Sequence, residues 1–214
     1  MRKTYIIKRL DEKCKRSCGI WDDIPVAYID NFRWDENGYR PVTEVKLFYS
    51  ESHFHILFKV YEQEPRVTYY NMNDPVYKDS CVEFFFNPTP GPDKRYLNFE
   101  MNAAGTLLLS IGEDRNHRSR VNDLDPGIFK IKTFNGTTLE KAETSFWTLE
   151  YSIPFDFINK YFKEFYPESG RRIAANFYKC GDDTKLPHFG CWNPINCPSP
   201  DFHRPEFFGM LLLE

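Results

Sequence analysis

Carboxylates and amides recur at alternate positions along two short segments that are rich in aromatic residues. In YKDSCVEFFFNP, Glu83 interrupts an apolar run, and in YLNFEMN every second position is polar, at Asn98, Glu100 and Asn102. Side chains alternate between the faces of a β-strand, so we expect these groups to share one face. Planar amides and carboxylates suit the hydroxyl groups of a sugar. The alternatives are a solvated strand face and a buried polar network between the strands.

A sugar also needs flat apolar surfaces, because its C–H faces stack on aromatic rings. Tyr77 precedes the first segment, and Trp192 lies in HFGCWNPINCPSPDFHRPEFFG, which predicts a long loop before the last strand. Neither residue belongs to an alternating core pattern. We therefore expect both rings to stack on the same sugar, the alternative being loop residues that fold back over the core.

The two polar segments are predicted to form a hairpin. Residues 81–86 and 96–102 are separated by the turn-rich sequence NPTPGPDKR. Their other face is apolar and is expected to enter the core. Period-two alternation predicts further strands at Thr43–Tyr49, Phe54–Tyr61, Thr106–Ile111, Ile128–Phe134, Trp147–Ile153, Arg172–Tyr178 and Phe207–Leu213.

One segment has helical periodicity. PFDFINKYFKEF places Phe155, Ile158, Phe162 and Phe165 on one face, and Pro154 stands at its start, where a missing N–H is harmless. Many short strands with Gly- and Pro-rich turns otherwise fill the 214 residues. This pattern predicts an all-β protein, one antiparallel β-sandwich over residues 1–214 with one or two short helices, in which residues 1–19 form a solvated edge segment.

Composition excludes several classes of partner. The net charge of −3 provides no strong basic field for nucleic acid, and no apolar run approaches the roughly 20 residues that span a membrane. The N-terminus lacks the apolar core of a signal peptide, which favours a cytoplasmic location.

The six cysteines are too few to demand a disulfide scaffold, so we expect free thiols. Cys14 and Cys18 could bind a metal or form a disulfide.

Two alternative functions for a domain with these polar residues remain open. Glu83, Glu100 and Glu150 are strand acids, and a carboxylate pair could hydrolyse a glycosidic bond. The spacing shows no nucleophile motif, so we expect binding rather than catalysis. A sandwich that has lost its ligand and serves as an interaction domain is the other alternative.

A zinc site in the long loop is a further alternative. The loop contains the spacing H-x2-C-x5-C-x5-H, formed by His188, Cys191, Cys197 and His203. Histidine and cysteine are common ligand types for zinc. The spacing differs from that of a standard zinc finger, and short clusters of this kind arise by chance.

An ordered set of motifs resembles the family 9 carbohydrate-binding modules, in the DOMON-like group of β-sandwich domains. The motifs are YKDSCVEFFFNP, YLNFEMNAAGTLL, WTLEYSIPF, AANFYK and FHRPEFFGML, and they span roughly residues 20–214. The resemblance implies a non-catalytic sandwich with a jelly-roll topology that binds mono-, di- or oligosaccharides. It also implies a glycoside hydrolase partner acting on xylan or another plant polysaccharide, and hence an extracellular or periplasmic location. No cofactor is required, but structural calcium is implied, with Asp22, Asp23 and Asp79 as candidate ligands.

The resemblance assigns roles to individual residues. Tyr77 matches the first stacking aromatic of the family, Trp192 lies near the second, Glu83 matches the sugar-contacting acid, and Asn176 lies near a polar contact. Tyrosine replaces the family's tryptophan at the first position, which gives a smaller platform. Cys81 is an additional residue in the DSCVE spacing.

Overall fold

The computed structural model describes residues 2–11, 19–91, 93–138, 144–163 and 165–214, and strands dominate this part of the chain. Thirteen strands are present among these residues. Their bounds are β1 Thr4–Arg9, β2 Ala27–Tyr28, β3 Thr43–Tyr49, β4 His53–Val60, β5 Cys81–Asn87, β6 Tyr96–Asn102, β7 Leu107–Gly112, β8 Arg118–Arg120, β9 Lys132–Thr138, β10 Thr144–Pro154, β11 Arg172–Cys180, β12 Phe189–Cys191 and β13 Gly209–Leu213.

Eleven of these strands follow one hydrogen-bonded path with the order β8-β7-β6-β5-β11-β13-β1-β3-β4-β10-β9, which curls on itself as expected for a β-sandwich, and β2 and β12 pair beside it with β3 and β11. Strand β1 joins the two halves of this path. Thr4–Ile7 pairs with β13, and Lys8–Arg9 pairs with β3, in both cases in parallel. The other strand pairs of the described chain are antiparallel. The predicted all-β fold is confirmed, but Thr4–Arg9 is an interior strand rather than an edge.

The apolar face of each half packs against the other to form the main core. In β4, Phe54, Ile56, Phe58 and Val60 are buried, as their alternation predicts. Phe58 meets Phe177 of β11 edge-on, with ring centroids 6.1 Å apart. Aromatic pairs of this kind add to the burial of apolar area that drives the two halves together.

The predicted helix is present as α1, Phe155–Tyr161, and it closes one end of the core. Its apolar face is buried, including Phe162 and Phe165, which continue that face beyond the last helical residue. Pro154 occupies the N-cap position, where its extended backbone ends β10. Among the described residues, no helix has both the length and the apolar character needed to cross a membrane.

The predicted strand at Ile128–Phe134 is wrong at its beginning. Pro126–Phe129 forms a 3₁₀ turn, in which the Asp125 side chain accepts a hydrogen bond from the Gly127 N–H. Lys130 then adopts a left-handed conformation with φ of 50°. Strand β9 therefore begins only at Lys132. The Asp-Pro-Gly sequence favours a capped turn over the extended backbone that apolar alternation suggests.

The second face of β5, β6 and β11 is also buried, because residues 193–208 fold over it. Both β5 and β6 are buried at every position. Tyr178 of β11 stacks on Phe202 of the covering segment at 4.2 Å between centroids, and Tyr96 meets Phe208 edge-on at 5.4 Å. The polar row of the hairpin therefore lies under a loop rather than on an open sheet face. We call this covered side the outer face.

Candidate functional site

A cavity of about 230 Å³ lies between the outer face and the loops that cover it. Strands β5, β6 and β11 supply one wall, and the segment around residues 200–203 supplies another. The lining combines acids, arginines and aromatic rings, namely Tyr77, Glu83, Glu100, Arg115, Arg118, Cys180, Asp182, Phe189, Pro200, Asp201, Phe202 and His203.

A pair of buried carboxyl groups lies at the strand wall of the cavity. Glu83 and Glu100 are direct cross-strand partners in the hairpin, and each is 3% exposed. Burial and the neighbouring charge of Glu100 raise the pKa of Glu83 well above its ordinary value, although a hydrogen bond from Cys180 opposes the shift. Burial likewise raises the pKa of Glu100 to about 7, against the opposing effect of Arg118. Two adjacent acids in a dry site favour the protonated form of one of them.

Arginines on the rim face these acids. Arg118 lies 3.8 Å from Glu100, between Nη1 and Oε1, and also contacts the imidazole of His203. Burial, followed by the charge of Arg118, lowers the pKa of His203, so the ring is neutral at pH 7. Arg115 donates to Asp201 at 2.9 Å. The cavity therefore offers guanidinium donors opposite carboxyl groups that can donate or accept.

Tyr77 is held at the cavity by backbone contacts between two loops. It lies in the 3₁₀ turn Val76–Lys78 directly before β5. Its carbonyl accepts a hydrogen bond from Asp182 N at 3.1 Å, and the next carbonyl, of Lys78, accepts one from Asp183 N at 3.0 Å. On the other side, Phe189 of β12 and Phe202 lie edge to face with centroids 6.4 Å apart. The site thus has aromatic rings besides its polar groups.

The profile of carbohydrate-binding family 9 matches residues 20–213 of the chain. This chain belongs to carbohydrate-binding family 9. The family's members are carbohydrate-binding modules, so the protein is a non-catalytic carbohydrate-binding protein.

Solved structures agree with this assignment. A proposed carbohydrate-binding protein from Bacteroides uniformis ATCC 8492 is 30% identical, with both chains covered completely and a TM-score of 0.81. A family 9 module from Caldicellulosiruptor kristjanssonii in complex with glucose is 14% identical over 99% of this chain and 96% of that one, with a TM-score of 0.58. The same organism's module in complex with cellotriose is 12% identical over 99% and 94%, with a TM-score of 0.55. The last two likenesses show the fold. No curated protein matches the chain.

Tyr77, Glu83 and Glu100 of this family 9 chain meet at the cavity, whereas Trp192 does not. The ring of Trp192 is buried in the main core, 5.6 Å from Phe177 between centroids. A Cβ atom at Gly209 would lie 2.5 Å from this ring, so the glycine allows the close packing. Trp192 therefore fills the core, and a sugar cannot stack on it there. Phe189, three residues earlier, lines the cavity instead.

The three predicted amides hold the protein's own backbone and side chains. Asn102 donates to Tyr69 O at 2.8 Å and to Asp79 Oδ2 at 3.0 Å, and Asn176 donates to Asn193 O at 2.9 Å. Asn98 donates to Glu100 Oε1 at 2.7 Å. None of the three amides lines the cavity. Asn102 and Asn176 are thus buried and hold two separate loop segments, and Asn98 positions Glu100.

The structure does not bring together the four side chains of the alternative zinc site. His188 binds the Lys179 ammonium at 2.7 Å, His203 binds Tyr96 at 2.8 Å, and the Sγ of Cys197 donates to Ser199 O at 3.2 Å. Cys191 points its thiol toward Asn31 O at 3.5 Å. Each side chain thus has a separate partner. The other predicted metal pair, Cys14 and Cys18, lies outside the described residues.

Asp79 does not fit the calcium site implied by the resemblance. Its carboxylate is buried and accepts hydrogen bonds from the amide and hydroxyl of Thr68, at 2.9 and 2.7 Å, and from Tyr69 N at 3.1 Å. Asn102 donates as well, at 3.0 Å. A calcium ligand needs free oxygen lone pairs directed at the ion. Asp79 instead fixes the segment before β5 through these hydrogen bonds.

Sequence reasoning missed much of the cavity rim. Arg115 and Arg118 lie in EDRNHRSR, a charged stretch typical of a solvated turn. Phe189 and Phe202 were visible only as members of an aromatic-rich loop. Pairing across several strands and loops brings these residues together, so no local spacing could identify them. Glu150, the third acid of the enzyme alternative, lies on β10 and accepts a hydrogen bond from Trp21 at 3.3 Å, away from the acid pair.

Proposed function

We propose that the cavity is the sugar site, and that it holds one unit of a short saccharide. The observation that carries this proposal is the buried pair of Glu83 and Glu100 beside the ring of Tyr77 in a cavity of about 230 Å³. That volume is below the roughly 300–1,000 Å³ typical of drug-sized ligands. A single pyranose unit therefore enters it, with any further units extending into solvent.

The polar groups of the site suit neutral hydroxyls. Glu83 is the acid whose pKa is raised further, so it donates its proton, while Glu100 next to Arg118 accepts. Arg115 adds a donor from the rim. Directional pairs of this kind select the orientation of the sugar ring, and Tyr77 supplies the apolar contact. Glucose and cello-oligosaccharides are the first candidates, because related modules are found with glucose and cellotriose.

Calorimetric titration with glucose, cellobiose, cellotriose and xylobiose tests this proposal. We expect saturable binding to at least one of these sugars, and a loss of about fivefold or more in affinity for Tyr77→Ala, since removing an aromatic contact costs about 1 kcal/mol or more. Tyr70→Ala is the matched control, because Tyr70 is 70% exposed and does not line the cavity. Equal affinities in the two variants would place the site elsewhere.

A hydrolase partner and a structural calcium ion rest on the family resemblance. We propose that the chain acts beside a glycoside hydrolase that degrades xylan or a similar plant polysaccharide. Retention of the protein on insoluble xylan or cellulose, and loss of retention with Tyr77→Ala, would support this role.

For calcium, Asp22 and Asp23 remain the candidates. A melting temperature that rises with added calcium and falls back in Asp22→Asn, Asp23→Asn protein would support that site, and an unchanged melting temperature would exclude it.

A further inference from the structure

A thiol–carboxylate cluster borders the sugar cavity. It consists of Cys81, Glu83 and Cys180, whose ligand atoms all lie within 4.8 Å of one another. Among the described residues, it is the one group of three or more Cys, His, Asp or Glu side chains with this spacing. The three side chains are 0%, 3% and 1% exposed. Both cysteines are free thiols, and Cys180 Sγ donates to Glu83 Oε1 at 3.1 Å.

Paired strands hold the cluster in place. Cys81 and Glu83 are two residues apart on one face of β5, and Cys180 of β11 is the direct cross-strand partner of Cys81. Both strands lie in the interior of the sheet path. Sites built on such elements keep their geometry better than sites built on loops.

We propose that this cluster binds one thiophilic divalent cation, with Zn²⁺ as the first candidate. Two thiolates and a carboxylate are zinc ligands, whereas calcium and magnesium prefer oxygen alone. Tetrahedral zinc with Zn–S of about 2.3 Å needs sulfur atoms about 3.8 Å apart and sulfur–oxygen distances of about 3.6 Å. In the cluster, Cys180 Sγ lies 3.1 Å from Glu83 Oε1, and all three ligand atoms lie within 4.8 Å of one another. As the metal–ligand bonds form, both thiols and the protonated Glu83 carboxyl group release their protons to solvent.

The fourth position of the ion would face the cavity. Cys180 and Glu83 line the cavity, whereas Cys81 lies behind them. Three protein ligands with an open position leave room for water or for an oxygen atom of a bound molecule. The metal site shares Glu83 with the proposed sugar site, but its three ligands converge whether or not a sugar enters, so the two proposals can be tested separately.

Cadmium titration tests the site, because cadmium–thiolate bonds give an ultraviolet charge-transfer absorption. The reduced chain carries Cys14→Ser and Cys18→Ser throughout, so that these two thiols cannot contribute. We expect one Cd²⁺ per chain, displaced by Zn²⁺, with an affinity at least about 100-fold lower in Cys180→Ser, more than the loss of an outer-shell partner. Cys197→Ser is the matched control, as Cys197 is another buried free thiol outside the cluster.

Glu83→Gln provides a second variant that keeps both thiols and the side-chain volume. We expect it to weaken zinc binding at least about tenfold while thermal melting shows a folded protein. Absence of stoichiometric binding by the reduced chain, or equal affinity in Cys180→Ser and Cys197→Ser, would overturn the proposal. Sugar titration with a zinc-selective chelator separates the two accounts, because sugar binding should persist without zinc.

Discussion

At the scale of single residues, the carboxyl groups of Glu83 and Glu100 are both adjacent to each other and buried. The alternation of β5 and β6 places Glu83 and Glu100 on the same face, and the covering segment removes water from that face. Buried carboxylates are costly unless they are paired or protonated. Keeping this pair, the proposed donors and acceptors for sugar hydroxyls, therefore costs stability at neutral pH.

The stability of the folded chain should depend on pH through Glu100. Its pKa of about 7 in the folded chain exceeds the ordinary 4.5, so the folded state binds more protons than the unfolded state between these values. Stability from this group is complete below about pH 4.5 and is lost as the pH rises through about 7. The difference in unfolding free energy between wild type and Glu100→Gln should change by roughly 3 kcal/mol over this range. Urea unfolding at several pH values measures it, and parallel curves for the two proteins would contradict the assignment.

Trp192 should matter for stability and not for sugar affinity. Truncation of a buried tryptophan costs about 3–5 kcal/mol, so Trp192→Ala should unfold at much lower denaturant concentration. Trp192→Phe keeps part of the packing against Phe177 and should fold. Its affinity for the sugar that wild type binds should stay within about twofold, by calorimetry on folded protein. If the Trp192→Phe protein folded but no longer bound the sugar, the result would support stacking of the sugar on Trp192.

At the scale of elements, a buried ionic network connects the two halves of the sheet path. Lys179 of β11 is fully buried, and its ammonium lies 3.3 Å from Glu62 Oε2. Glu62, just after β4, also accepts hydrogen bonds from Trp147 Nε1 and Ser80 Oγ, each at 2.9 Å. Burial alone would raise the pKa of Glu62, but Lys179 and these donors hold it below the ordinary value. The network fixes how β4, β10 and β11 meet.

Breaking this network should be costly. Glu62→Ala leaves the Lys179 ammonium buried with only neutral partners, His188 and the Cys180 carbonyl. We expect a loss of about 3–5 kcal/mol in unfolding free energy. Glu206→Ala, which breaks the exposed pair with Arg204, should cost at most about 1 kcal/mol. Denaturant unfolding of both variants measures the contrast, and similar small losses would mean that the buried pair contributes little.

Local patterns predicted those elements whose burial is set by their own sequence. The strand Thr43–Tyr49 and the helical face of Phe155 and Ile158 follow directly from period two and period 3.6. The interior position of Thr4–Arg9 could not be read this way, because it depends on pairing with β13 from the far end of the chain. The role of Trp192 was misjudged for a related reason. An aromatic residue in a loop lacks a periodic pattern, so its sequence does not say whether it faces the core.

At the scale of the whole molecule, the segment 193–208 buries the outer face and encloses the proposed site. The sheet path supplies Glu83 and Glu100, and the covering segment supplies Phe202 and His203. An open sheet face would leave these acids in water, with ordinary pKa values and weak hydrogen bonds to a ligand. Tyr77 and Glu83, to which the resemblance to carbohydrate-binding family 9 assigned sugar contacts, both line this cavity. The residues of the other wall, such as Phe202, could be assigned to the cavity only from the tertiary structure.

The most direct test of this account is a crystal structure with the sugar that binds tightest in calorimetry. We predict a ring against Tyr77 in the cavity, with hydroxyl groups within hydrogen-bonding distance, about 3 Å, of Glu83 or Glu100. Trp192 should remain buried against Phe177. A sugar bound at another surface, such as the hollow lined by Trp21, Phe48 and His55 on the opposite half, would contradict the central claim.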